Sequence, residues 1–77
     1  MAYDAADYED RHPAVREIMR WFDFDHLAEG SQARAVSACI YDTTQAMLMI
    51  NDGPELTAGL RKLLEAKDCF VRASIDN

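Results

Sequence analysis

The residues with the most chemical scope in this 77-residue chain sit in one run, Arg20-Trp21-Phe22-Asp23-Phe24-Asp25-His26. Asp23, Asp25 and His26 are types that do acid–base work or ligate metals, but three polar residues in a loop also serve as turn and capping groups, and that is the reading we adopt. Trp21 and Phe24 do not both fit the apolar spacing that assigns Phe22 to the core. Rings beside a helix–loop junction can stack on a base, or pack under the helices or between protomers, and both readings stay open. A guanidinium fork matches phosphate oxygens and an ammonium supplies a point charge, but each of the eight basic residues taken singly reads as part of a solvated helix face. Arg72 stands out. It falls in the last turn of the final helix, beside Ala73, where a small neighbour permits close approach and a symmetry axis would gather several copies. Lys67 and Asp68 read as ordinary surface charges.

Nothing in the chain assembles a catalytic set. His12 and His26 are the only histidines, there is no G-x-S-x-G or H-E-x-x-H segment, and no glycine-rich phosphate loop occurs. Cys39 and Cys69 lack the close spacing of zinc ligands, and both read as small apolar core residues. We therefore expect no catalytic residue, no metal and no cofactor. The chain reads as a binding protein, not an enzyme.

Eight basic and fourteen acidic residues give a formal net charge of −6. Binding a long nucleic acid depends on a positive field and on counterion release, so this balance argues against it. A small anion needs only two or three well-placed donors and stays open. The N-terminus has no basic segment leading into an apolar run, and no stretch approaches the ~18 apolar residues of a spanning helix. A soluble, cytoplasmic protein is expected.

These residues must be held by helices. Residues 1–11 carry Asp4, Asp7, Glu9 and Asp10 without an apolar period and read as a mobile acidic arm. Residues 12–77 read as a single helical-hairpin domain. Pro13 suits a first helical turn, and Val15, Ile18, Met19 and Phe22 recur at i, i+3, i+4 and i+7, which predicts a helix over 13–22. Gly30 interrupts the chain and Ser31 can cap a second helix over 31–50, with Val36, Cys39, Ile40, Thr43, Met47 and Ile50 as its stripe. Asn51-Asp52-Gly53-Pro54 is a turn, and a third helix is expected over 55–74 with Leu56, Leu60, Leu63, Leu64, Phe70 and Val71 as its stripe. Gly59 within that helix costs about 1 kcal/mol relative to alanine, so a close helix contact is expected there, within the hairpin or between subunits. The fold class is all-α: a short N-terminal helix followed by a long antiparallel helical hairpin. A chain this small buries only about 60% of its surface, and two amphipathic helices cannot enclose a core alone. Assembly into a symmetric oligomer is expected.

The segments "MRWFDFDHL" and "NDGPELTAGLRKLLEAKDCFVRA" resemble the helical-hairpin domain of phage-encoded sponges that sequester cyclic-nucleotide immune signals, the anti-CBASS and anti-Thoeris proteins. In that family an arginine-aromatic-x-aromatic-histidine segment precedes a long helix, and a Pro/Asp/Gly turn and a leucine-rich helix follow. The resemblance covers roughly residues 19–75. It implies hexamers that hold cyclic dinucleotides between protomers, with cyclic trinucleotides near three-fold axes or cyclic ADP-ribose isomers in some relatives. Phe24 stands where the family often has tyrosine, His26 matches its histidine shifted by one residue, Glu65 matches a structural glutamate, and Arg72 matches a late-helix arginine. Ala28 and Glu29 replace a Pro-rich, often basic loop, so Arg20, Arg34 or Lys62 would have to supply the missing cations. The site implied is Arg20, Trp21, Phe24, His26, Arg34, Lys62 and Arg72. The alternative is a small helical assembly protein whose aromatic stripe meets a protein partner.

Overall fold

In the computed structural model, which describes residues 2–75, Pro13 opens the first helix, α1 (Pro13–Met19). The His12 ring accepts the Ala14 N–H and so satisfies one of the donors that a helix start leaves free. Val15 and Met19 are fully buried. A 3-10 turn, Arg20–Phe22, continues the same face and buries Phe22. A loop follows, in which Gly30 takes the left-handed φ of 77° that a side chain disfavours. Ser31 then caps α2 (Gln32–Met47) by accepting the Arg34 N–H and donating to the Ala28 carbonyl. After residues 48–53, Pro54 opens α3 (Pro54–Ile75), which packs along α2. The described chain is all-helical, with no strand. Met1 of the expected arm and residues 76–77 of the expected domain lie outside the described residues.

The core is Tyr8, Val15, Met19, Phe22, Leu56 and Leu60, with Ile40, Tyr41, Leu63 and Leu64 packed against it. Tyr8 belongs to the segment expected to be a free arm, and that expectation fails. Asp4 caps a 3-10 turn over Ala5–Tyr8, the Ala2 and Tyr3 amides donate to Asp25 and Asp23, and the Tyr8 and Tyr41 hydroxyls lie 2.9 Å apart. Tyr41 also donates to the Ala2 carbonyl. Farther along, Arg11 donates to the carbonyls of Leu48 and Ile50 and to the Asp52 carboxylate, closing the residues where α2 ends.

The face that α2 buries also differs from the expected stripe. Ala33, Ser37 and Thr44 are its buried residues, whereas Cys39, Thr43, Met47 and Ile50 are exposed. The physical reason is size: short side chains let α2 approach α3, and the Thr44 hydroxyl is satisfied by the Tyr41 carbonyl one turn back. Cys39 and Cys69, expected in the core, are both exposed free thiols. Lys67, expected at the surface, is only 7% exposed.

Candidate functional site

A groove runs along the flank where the 20–27 segment meets the second half of α3. Its wider part, about 590 Å³, is lined by Arg20, Trp21, Asp23, His26, Leu64, Lys67 and Asp68. A smaller hollow of about 180 Å³ continues it past Leu27, Ser37, Val71 and Arg72, sharing His26, Lys67 and Asp68. Four of the seven residues singled out from sequence therefore line one continuous surface: Arg20, Trp21, His26 and Arg72.

Local structure explains each placement. Trp21 follows Arg20 in the 3-10 turn that buries Phe22, and its indole is turned outward, 56% exposed. The Arg20 guanidinium stands 4.8 Å from the indole centre and pairs with Glu17 at 3.3 Å, one turn back. Arg72 sits in the last described turn of α3, its guanidinium 3.5 Å from the Cys69 thiol.

Lys67 is the residue the sequence reading missed. Its ammonium donates to the Trp21 carbonyl and lies 5.7 Å from the Phe22 ring centre. Burial pulls this ammonium below its ordinary value, while the Asp68 and Asp23 carboxylates act against that shift. The signal was legible: Lys67 falls seven residues after Leu60 and four before Val71, on the apolar stripe itself. Ser37 was missed too. It is fully buried in the lining of the smaller hollow, and its hydroxyl has no hydrogen-bond partner among the described residues. Such a group costs free energy in a folded chain.

The other three residues go elsewhere. Phe24 is half-buried, edge-on to the Tyr41 ring at 5.7 Å and 5.4 Å from the Arg34 guanidinium. Arg34 is engaged in shaping the loop, donating to the carbonyls of Asp25 and Leu27 and pairing with the Asp25 carboxylate at 3.3 Å. Neither lines the groove. Lys62 borders a separate apolar groove between the end of α2 and the start of α3.

The surface so assembled combines three cations, an exposed indole and an imidazole with the carboxylates of Asp23 and Asp68. Its chemistry suits an anionic group and a flat ring. Among the described residues no three His, Cys, Asp or Glu side chains gather closely enough to hold a metal ion, and no helix is long and apolar enough to cross a membrane. No protein-family model, curated protein or solved structure matches the chain.

Proposed function

We propose that this chain is a non-catalytic, oligomeric binding protein that sequesters cyclic-nucleotide immune signals, as a phage-encoded sponge acting in the cytoplasm of an infected bacterium. Its ligands would be cyclic di- or trinucleotides or cyclic ADP-ribose isomers. In that reading α2 and α3 are the antiparallel hairpin of the sponge family, assembled into a hexamer. The observation that carries it is the joining of Trp21 to Arg20, His26, Lys67 and Arg72 in one groove. The indole takes a base and the cations take phosphate, a division of labour that suits a compact anion with two aromatic faces. The nearby carboxylates make the groove a poor track for a long polyanion, in line with the net charge of −6. Phe24 and Arg34 act one step back, holding the loop that presents Trp21.

The test is native mass spectrometry of the purified protein with a panel of cyclic di- and trinucleotides and cyclic ADP-ribose isomers. A hexamer that takes up intact ligand in whole-number multiples is expected. An oligomer that ignores the whole panel removes the sponge reading. The second reading, a helical protein-assembly module, has its own supporting observation: Met47, which ends α2, and Met49 and Ile50 just beyond it are exposed, at 40%, 88% and 56%.

A further inference from the structure

We propose that the apolar groove between the end of α2 and the start of α3 receives a second copy of this chain, with the two α3 helices crossing antiparallel about a two-fold axis beside Gly59. The groove encloses about 530 Å³, and Met47, Ile50, Leu56 and Leu63 supply its apolar wall. Met47 and Ile50 are 40% and 56% exposed, so the described chain covers them only in part.

Gly59 is the first argument for what does. A glycine inside a helix weakens it, and this one has neither of the usual internal reasons. Its φ is not positive, and beyond its chain neighbours and its own helix backbone no atom of the described residues lies within 4 Å of where a Cβ would stand. The close contact that a helix glycine permits is therefore to be found outside the chain.

Charge supplies the occupant and its direction. Glu55, Gly59, Lys62 and Ala66 follow one another at i, i+4, i+7 and i+11, a single ridge along the groove. The acid and the base stand seven residues apart, about 10 Å along the helix, with Gly59 between them. Turn a second α3 antiparallel over that glycine, and each Glu55 comes level with the other copy's Lys62. A parallel arrangement would set acid beside acid and base beside base. The surface is thus complementary to itself, which is the requirement of an isologous contact. Ala66 and Gly59 keep the ridge low where the helices cross, and the exposed ends of α2 close over the apolar wall from both sides.

The inference deepens the oligomeric part of the reading above and does not depend on any ligand. Its experiment is sedimentation equilibrium on the full chain, as wild type, E55K, K62E, the E55K/K62E double variant, and an equimolar mixture of the two single variants. The wild type should associate in even-numbered units. Each single reversal replaces two attractive pairs by two repulsive ones and should weaken association roughly tenfold or more. The double variant and the mixture should both regain it, because each again sets a lysine against a glutamate. That recovery excludes misfolding as the cause of the loss. A wild type that stays monomeric overturns the proposal. An oligomer unmoved by the single reversals, or a loss that neither recombination repairs, also overturns it, while leaving cyclic-nucleotide binding to be decided separately by the mass measurement.

Discussion

The buried ammonium of Lys67 donates to the backbone carbonyl of Trp21, tying α3 to the turn that displays the exposed indole. One contact thus joins a core position to a groove position. It also places a charge where the helix stripe calls for an apolar residue, and burial pulls that ammonium below its ordinary value.

Two substitutions separate the structural and binding parts of this contact. K67M keeps the apolar stem and should cost less stability than K67A, which also opens a cavity and should cost about 2 kcal/mol. Both should lose ligand affinity alike, since both remove the cation. Urea unfolding gives the first comparison and ligand titration the second.

The same group sets an alkaline signature. Between its lowered folded value and the ordinary 10.5, the unfolded chain holds the Lys67 proton more fully than the folded chain does. Stability therefore rises with pH through that window. Urea unfolding below pH 10 should show this rise in the wild type and a flatter course in K67M. Above that range Tyr41 acts in the opposite sense. Burial and the neighbouring Tyr8 hydroxyl raise its value, so its contribution is present below the ordinary 10.0 and is lost as pH climbs beyond it.

Asp52 gives the acid limb. Its carboxylate accepts the His12 N–H at 2.6 Å and the Arg11 Nε–H at 2.8 Å, and these bonds hold it below the usual carboxylate value of 3.8. The unfolded chain then takes up the proton first as pH falls. The contribution is present above 3.8 and is lost on descent through the lowered folded value. Unfolding measured across that range should be steeper in pH for the wild type than for D52N.

How far the sequence reached can be judged residue by residue. Val15, Met19 and Phe22 announced α1 by spacing, Ser31 announced the start of α2 by its capping chemistry, and Pro54 announced α3. Those signals are local, so they survive without tertiary context. The buried face of α2 is not local. Ser37 and Thr44 are poor guesses for a core, and they are buried because α3 lies close enough to need short side chains. Tyr8 docks through a hydroxyl contact with Tyr41, thirty-three residues away, and no period in an acidic segment reveals it. Trp21 and Arg72 were legible as outward residues, one displaced from the apolar stripe and the other late in its helix, whereas Arg20 and His26 entered only through the family resemblance. Phe24 and Arg34 looked equivalent in sequence, yet they pack on each other and on the loop. Lys62 lies on another face of α3, beside the apolar groove at the end of α2.

The docking of Tyr8 makes the N-terminal segment part of the folding unit. Y8A removes a fully packed ring and should destabilise the chain by about 3 kcal/mol, whereas Y8F removes only the hydroxyl contact and should cost about 1 kcal/mol. Urea unfolding of the two variants decides it. A silent Y8A would mean that residues 2–11 stand free in solution after all.

Trp21 offers the most direct reading of the groove, because it is the only tryptophan in the chain and its fluorescence needs no label. A base that stacks on the indole should quench it, and the titration should saturate at whole-number stoichiometry. Since the ring is more than half exposed, W21A should leave unfolding nearly unchanged. Loss of one stacked base, about 1–3 kcal/mol, should weaken binding by roughly fivefold to more than a hundredfold. F24A should behave in the reverse order. It removes a ring packed on Tyr41 and Arg34, so unfolding should shift first, and affinity should fall only as far as the loop loses its shape. If F24A abolishes binding with stability intact while W21A does nothing, the base sits against Phe24 and the groove beside Lys67 is not the ligand site.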